Sequence, residues 1–563
     1  MSKYEQLYRS VPTDASELDS INEDINAKIA NSKFTIIKVL DVIDALKKLN
    51  CGKNDGNLGC MSDHIMKSSM RFKVTLSLLM SCMLSHGYYA NELLCATVIP
   101  IPKNTRGNLT SSDNYRGISL CNSICKLFDI IFIDKCGSTL ATSNLQFAFK
   151  ANHSTDLCTG MLIETVNHFL ENDSEVYGCL LDASKAFDKV HYGKLFEILI
   201  SRNVPIDIVR FLLDGYVRQS ICVKWNGDKS IYFNGCNGVK QGGVLSPILF
   251  SIYYDELIKR LTQSDLGCRV GNHYVGAISY ADDLTLLSPS IGGLQKMINI
   301  CVDFGVEYHI DFNDKKTECV VFGSNSDVCA QVEVNGQKIA WKNQVKHLGN
   351  VINSSLTNYD DVKLKSNKFV ASVNWFIAQF CNRVPLNAYV LLFRSYCCCF
   401  YGCVLWEIGG KCFQSFCTTW NKAVRRVLNL PNTTHRNLLG PLMKCCHVSV
   451  LITKRICKFI DNMLTSKNDI VLYFAKKSII CARSKIGRNI SYIRFRYRIN
   501  ITLNCIGGRY ILRDFLKDNC CKISNTYLSH TILELLHVRN NQLFIPGLNI
   551  TDVYDMICNL CTC

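Results

Sequence analysis

The chain has 563 residues, too many for one ordinary domain and enough to bury large cores. Hydrophobic residues make up 48% and charged residues 20%, which excludes a mainly disordered chain, and 10 prolines with 33 glycines exclude collagen-like or proline-rich architectures. The net charge of +16 is unevenly placed: residues 1–360 carry 35 basic and 38 acidic groups, residues 361–563 carry 28 and 9, so a near-neutral front suited to chemistry precedes a basic back suited to holding a polyanion.

Residues 1–80 predict helices, with apolar positions at helical spacing across Phe34–Leu49 and a glycine-rich break at Gly52–Gly59. Cys95–Pro102 (CATVIPIP) predicts a strand ended by proline. Residues 176–181 (VYGCLL) and 274–280 (YVGAISY) predict short buried strands, each meeting aspartate at its end. Helix-like stretches lie around them, at Tyr192–Ile200 and Ile248–Leu261. This alternation implies an α+β or α/β core to about residue 355, and beyond Asn358 long, basic, helix-compatible segments take over. Leu386–Trp406 is apolar but holds Asn387 and Arg394, so it predicts a buried helix rather than a membrane span.

Cysteine is unusually common, at 32 residues. The polar start MSKYEQLYRS has no apolar signal core, so the thiols are expected to be reduced and mostly buried as small apolar groups. Cys558, Cys561 and Cys563 have no following ligand pair and Cys445-Cys446-His447 has no partner at finger spacing, so no structural zinc is expected.

Three carboxylates draw attention. Asp182 closes an apolar run in Leu181-Asp182-Ala183-Ser184-Lys185-Ala186-Phe187-Asp188, and Asp282-Asp283 sits between apolar runs in Tyr280-Ala281-Asp282-Asp283-Leu284. A strand–turn–strand around Asp282-Asp283 exposes both at a sheet end, and a neighbouring strand bearing Asp182 brings three negative groups together. Two divalent cations about 4 Å apart relieve such repulsion and suit in-line phosphoryl displacement, and Mg²⁺ fits an all-carboxylate site. Alone, an Asp-Asp pair is an ordinary solvated turn. Between the acidic elements lies Gly238-Val239-Lys240-Gln241-Gly242-Gly243-Val244-Leu245-Ser246-Pro247, whose bare glycines admit a base pair or sugar, whose Gln241 and Ser246 offer hydrogen-bonding groups, and whose Pro247 suits a first helical turn.

Taken in order, these elements resemble the reverse transcriptase of a non-LTR (LINE-type) retrotransposon. LLDASKAFDKV resembles that family's motif A, GVKQGGVLSPILF motif B and YADD motif C. Upstream, IPIPK and Asn114-Tyr115-Arg116-Gly117-Ile118-Ser119-Leu120 resemble finger motifs, and Gln146-Phe147-Ala148-Phe149 with Ser154-Thr155 resembles the segment before motif A. Downstream, Asn313-Asp314-Lys315-Lys316-Thr317 resembles motif D and His347-Leu348-Gly349 the primer-grip region. GKNDGNLGCMSDHI, Trp420–Arg426 and the closing ICNLC resemble the flanking parts of the same reading frame.

The resemblance implies an α+β right-hand polymerase: an N-terminal extension at 1–89, fingers and palm with an antiparallel sheet at 90–355, a helical thumb at 356–460 and a basic nucleic-acid-binding region at 461–563. It implies an RNA-directed DNA polymerase that transfers nucleotides from dNTPs to a DNA primer 3′-hydroxyl on an RNA template, with two Mg²⁺ ions that Mn²⁺ can replace. Asp182, Asp282 and Asp283 are the implied catalytic and metal-binding residues. Lys103 and Arg116 would clamp the triphosphate, a planar guanidinium being apt for that. Phe187 would exclude a ribose 2′-hydroxyl, Gln241 and Gly242 would contact nucleotide or template, and Lys316 would donate a proton or touch phosphate. An intracellular ribonucleoprotein, cytoplasmic and nuclear, is the implied setting.

Two departures from the pattern stand out. Ala148 replaces the usual Gly, at a cost of about 1 kcal/mol if φ is positive there. No endonuclease, CCHC ligand set or ribonuclease H is recognisable, so the chain reads as a truncated or fragmentary copy that does not cut target DNA by itself. In the tail, Arg494, Arg496 and Arg498 alternate with Phe495 and Tyr497, the combination used for sequence-tolerant strand binding; a packed face with solvated arginines is the plainer reading. Two further function classes remain: a remnant that binds RNA or DNA without polymerising, which the intact aspartates and QGGVLSP oppose, and an RNA-templated RNA polymerase, which Phe187 opposes.

Overall fold

Helices begin and end the described chain, and two larger β-sheets and three two-stranded ones lie between them among the described residues. The computed structural model describes residues 2–497 apart from 12, 54–61, 324–329 and 382. Helices occupy Ser2–Leu7, Ala15–Ile29, Val39–Lys48, Ser62–Met66, Met70–His86 and Asn91–Leu94. The helix expected over Phe34–Leu49 starts only at Val39. Thr35 is tied to buried Asp207 by a 3.1 Å hydrogen bond and holds the preceding residues extended, while the Lys38 N–H donates to the Asp41 carboxylate at 2.8 Å and starts the first turn.

The first sheet is built on Cys95–Pro102, as the sequence predicts. It runs antiparallel to Tyr115–Leu120 and parallel to Ser220–Trp225. One face buries a small apolar cluster of Tyr4, Tyr8, Val98, Ile221, Val223 and Phe233, so the helix Ser2–Leu7 seals this sheet. Gly117 is needed there because an added Cβ would come within 2.6 Å of the Tyr4 ring.

The second sheet has the order Trp341–Lys342, Glu318–Phe322, Val176–Ser184, Asp283–Ser288, Ala277–Tyr280, with Asp311–Phe312 also pairing with Val176–Ser184. Two expectations change here. The strand over 176–181 continues to Ser184, because Asp311 and Phe312 pair with Ser184 and Ala183, so Asp182 lies inside the strand and not at its end. The strand over 274–280 divides at Gly276: His273–Tyr274 turns back on Arg269–Val270, and only Ala277–Tyr280 joins the sheet. Helices Thr155–Leu170, Ser246–Gln263 and Ile291–Glu307 pack on this sheet. Ser246–Gln263 buries Leu249, Phe250, Ile252, Tyr253, Tyr254, Leu257, Ile258 and Leu261, so the helix is enclosed on most sides.

After the hairpin Gln344–His347/Asn350–Asn353 the chain is helical, with helices Tyr359–Phe380, Leu386–Cys397, Lys411–Val427, Arg436–Leu442, Val448–Leu464, Asp469–Ile480 and Lys485–Tyr497. The apolar stretch Leu386–Trp406 is helical only to Cys397, and no described helix is long and apolar enough to cross a membrane. The described cysteines are all free and most are buried, and burial pushes thiols such as Cys125 and Cys403 up to about 12 and about 11. His447 caps the helix Val448–Leu464 and bonds Asn421 at 2.9 Å; Cys558, Cys561 and Cys563 lie outside the described residues.

One buried carboxylate joins the sheet region to the helices. Asp361, with its side chain 5% exposed, accepts from Trp406 Nε1 at 2.7 Å, Lys365 Nζ at 2.8 Å and the Val351 N–H at 3.0 Å. Removing it leaves the Trp406 indole N–H unpaired and the buried Lys365 ammonium without its counter-charge, held only by Asn350 Oδ1 at 2.6 Å. Asp361→Ala is therefore expected to lower unfolding free energy by about 3–5 kcal/mol, measured by denaturant titration, with Asp361→Asn losing less.

Candidate active site

Antiparallel pairing puts the acidic residues together. Asp283 is the register partner of Asp182, and Leu284 to Ser288 pair with Leu181 to Tyr177. On its other side Asp283 pairs with Tyr280, leaving Ala281-Asp282 as a two-residue hairpin turn with Ala281 at φ +56°. The turn presents Asp282 half-buried and Asp283 exposed at one end of the sheet, beside Asp182 in the central strand. The next turn holds a cation against them: Asn313 N–H donates to the Asp182 carbonyl at 2.9 Å, and Lys316 Nζ lies 3.0 Å from Asp182 Oδ2.

The aspartates disturb one another. Although Asp283 is exposed as a residue, the protein atoms packed around its carboxyl strip it of water, and this desolvation, then the Asp282 and Asp182 charges, push it up to about 6. Asp282 is also raised, chiefly by burial and then by Asp182, while Arg116 and Lys316 oppose the shift. Among the described residues no three His, Cys, Asp or Glu side chains close on one point as a finished ligand cluster. Asp182 has turned one oxygen to Lys316, and the three carboxylates share a sheet end without converging further. The donor set is all oxygen and anionic, and its neighbouring negative charges repel one another in a way hard divalent cations relieve, so these residues fit Mg²⁺.

Facing the acids is a set of cations. Burial lowers the Lys103 ammonium, and repulsion from Arg116, Lys3, Lys316 and Lys185 lowers it further, so these four lie within electrostatic reach of Lys103. Lys103 and Arg116 are carried by the antiparallel pair of the first sheet, where Arg116 is opposite Ile101. Lys3 and Lys185 were not singled out in the sequence. Lys3 reaches the set only because the first helix docks there, bonding Asp113 at 2.8 Å. Lys185 follows the Asp182 strand at φ +54°, a conformation a lysine adopts only when its neighbours impose it.

The glycine-rich segment straps the two sheets together. Gly238 N–H donates to the Val190 carbonyl and Val239 N–H to Phe187, both at 2.8 Å, and Ser119 N–H of the first sheet donates to the Gln241 carbonyl at 2.6 Å. Gly242 has φ +115°, and a Cβ there would lie 2.7 Å from the Ser119 carbonyl, so its missing side chain admits the first sheet's backbone. This differs from the expected approach of a base or sugar. Ser246 is buried near the Tyr216 hydroxyl, which removes it from the groups available to a nucleotide. Pro247 does sit in the first turn of Ser246–Gln263.

Two buried carboxylates that carried no assigned role hold this segment. Gln241 Nε2 donates to Asp188 Oδ1 at 2.9 Å, which fixes the amide. Asp129, on the helix Ser123–Cys136, accepts the Val244 and Leu245 N–H groups at 3.2 Å each through Oδ2. Burial raises both carboxyls to about 6. Only tertiary contact shows Asp129's role, since its sequence neighbourhood is an ordinary amphipathic helix. Phe187 is half-buried and stacks on Phe250 at 4.2 Å. Ala148 is buried with no positive φ, so the departure from glycine costs no backbone strain; Phe149 carries the positive φ, +57°.

The arginine-rich tail lies elsewhere. Lys485–Tyr497 is a helix whose Ile486, Ile490 and Ile493 are buried, so a packed face accounts for part of its pattern. Arg494 is half-buried and Arg496 exposed, on different faces because alternate residues diverge on a helix. Arg498 lies outside the described residues.

Residues 101–352 match the family model described as reverse transcriptase (RNA-dependent DNA polymerase). Residues 101–352 thus carry a reverse transcriptase domain. It is similar to the RNA-directed DNA polymerase from mobile element jockey of Drosophila melanogaster, 26% identical over 352 residues that cover 60% of this chain and 38% of that protein. It is also similar to the retrovirus-related Pol polyprotein from type-2 retrotransposable element R2DM of the same fly, 27% identical over 262 residues, 46% of this chain and 23% of that protein. The chain thus spans well under half the length of these relatives. Among solved structures, apo telomerase from Candida tropicalis aligns with a TM-score of 0.35 and 10% identity, over 76% of this chain and 69% of that one. The matched segment folds as mixed helix and sheet.

The carboxylates beneath the strap set a pH signature. Asp129 and Asp188 titrate near 6 when folded, above their unfolded value of about 3.9. Their contribution to stability is fully present below about pH 4 and is lost as pH rises through about 6. Asp129→Asn cannot ionise, so its melting temperature should fall less than wild type between about pH 5 and about pH 8, with Asp188 sustaining the remaining slope.

Proposed function

We propose that this chain is an RNA-directed DNA polymerase that adds deoxynucleotides to a DNA primer on an RNA template, as part of a non-LTR retrotransposon's copying machinery. The observation that carries the reading is the register pairing of Asp182 with Asp283 beside the Asp282 turn, where Arg116 and Lys316 act on Asp282 and Lys103 and Lys185 are grouped with those cations. Acids that gather cations and bases that gather phosphates, face to face, suit a nucleoside triphosphate.

Asp182, Asp282 and Asp283 would hold two Mg²⁺ ions, for which Mn²⁺ can substitute, and these supply a more acidic primer hydroxyl and charge neutralisation on the triphosphate. The protein's own groups do the rest. Lys103 and Arg116 receive the outer phosphates, with Lys185 and Lys3 adding positive potential. The primer 3′-oxygen displaces pyrophosphate from the α-phosphorus, and Lys316 beside Asp182 is placed to give a proton to the departing oxygen. Phe187, backed by Phe250, occupies the space a ribose 2′-hydroxyl would need. Gln241, held by Asp188, meets the nucleotide or template. The basic region after Asn358, with Arg494, Arg496 and Arg498, would track nucleic-acid phosphates.

Primer extension with an RNA template, a DNA primer, dNTPs and Mg²⁺ tests this directly. Wild type is expected to extend, and Asp282→Asn with Asp283→Asn to lose at least about 10³-fold in rate, since removing charge-stabilising groups costs that order. Absence of wild-type extension, with RNA binding kept, supports the non-polymerising remnant instead. RNA affinity should fall by roughly 10³-fold or more between about 50 and 200 mM salt if six or more phosphates are neutralised, measured by filter binding; a flat salt dependence removes the basic region from the interface.

A further inference from the structure

Phe149 stands where neither burial nor backbone preference explains a phenylalanine. Its ring is 50% exposed, and its φ of +57° lies in the left-handed region that disfavours bulky side chains. The conformation is enforced from both sides. Before it, Ser279 N–H donates to the Leu145 carbonyl and Phe147 N–H to the Ser279 carbonyl, both at 2.9 Å, which ties the segment to the strand leading into Asp282. Gln146 Nε2 donates to the Ser251 carbonyl at 3.0 Å and to Asp255 Oδ1 at 2.9 Å, locking the same segment onto the helix Ser246–Gln263. After it, Lys150 Nζ binds the carbonyls of Thr142 at 3.1 Å and Ser143 at 2.5 Å.

Held this way, the Phe149 ring meets Phe187 edge to face, with centroids 6.2 Å apart and planes at 81°. On its other contact Phe187 lies nearly parallel to Phe250, at 4.2 Å and 18°. Phe187 is thus gripped by one ring from the buried helix and one from the exposed turn. Both are favoured aromatic geometries. A gate that excludes one hydroxyl must not swing aside, because a small displacement of an aromatic edge makes the room an oxygen needs.

We propose that Phe149 is a positioning residue for sugar selection, pinning Phe187 against Phe250 so that nucleotides bearing a 2′-hydroxyl are rejected. This rests on the polymerase reading above and adds to it a residue that acts through Phe187 without itself ligating metal or phosphate. It also gives the positive φ a use: the left-handed turn aims the ring at Phe187, while Ala148 stays buried.

The test compares kcat/KM for a dNTP and its matching rNTP in single-nucleotide primer extension by the full chain. Phe149→Gly relieves the backbone strain, so its melting temperature should equal or exceed wild type, which separates loss of the ring from loss of the fold. Its dNTP-over-rNTP preference should fall roughly 3- to 10-fold, the scale of one lost aromatic contact. Phe149→Tyr keeps the ring and should keep the preference. In a Phe187→Ala background, Phe149→Gly should change the preference no further, since it acts through Phe187. An unchanged preference in Phe149→Gly, an equal loss in Phe149→Tyr, or an additive effect in the double variant overturns the proposal while wild-type extension leaves the polymerase reading standing. A wild-type chain that extends with neither nucleotide overturns both.

Discussion

The candidate site depends on one antiparallel register. Asp283 sits opposite Asp182, and the apolar residues Leu284–Leu287 pair with Leu181–Gly178 behind them. Residues 284 to 287 are all buried, so both faces of this strand are covered, and a slip of one residue would exchange the side chains packed on each face and send the aspartates to the other side. Hydrophobic burial in a central strand therefore holds the repelling carboxylates in place. Burial first and neighbouring carboxylate charges second raise Asp282 and Asp283, and the energy that opposes both comes from the core.

A second constraint joins the two sheets. Residues 238–245 bond successively to the Phe187–Val190 turn, to Ser119 of the first sheet and to Asp129 beneath both. Gly238 and Gly242 are needed because backbone carbonyls of Asp188 and Ser119 lie where their Cβ atoms would be. The segment fixes the spacing between the carboxylate end of one sheet and the cationic pair of the other. Charge separation across that gap is what makes the site suited to a ligand carrying both a metal-binding and a polyanionic part.

The helical half is coupled to the same region through polar contacts in an otherwise apolar junction. Asp361 gathers Lys365, Trp406 and the Val351 N–H, and Tyr401 bridges the Leu348 carbonyl and the Thr155 hydroxyl at 2.8 and 2.7 Å. Further on, buried Glu164 faces Ser478 and buried Lys485; burial raises its carboxyl to about 7 and lowers the Lys485 ammonium to about 8. These contacts tie the first turn of Thr155–Leu170 and its later turns to different parts of the C-terminal helices.

Much of this was legible in the sequence. Apolar runs ending at aspartate, a glycine-rich segment before a helix and their order marked the acidic end, the strap and the reverse transcriptase resemblance, because short-range patterning and spacing survive in one dimension. Tertiary structure decided what depends on distant partners. Pairing with Asp311–Phe312 extended the Asp182 strand, and docking of the first helix brought Lys3 to the cations around Lys103. Asp129 gained a role only through residues more than a hundred positions away, and Ser246 and Gly242 were taken up by protein neighbours. A sequence records which groups a chain carries and how they repeat. Which hydrogen bonds and charges they meet is set by long-range packing, and for buried polar groups that meeting determines both pKa and function.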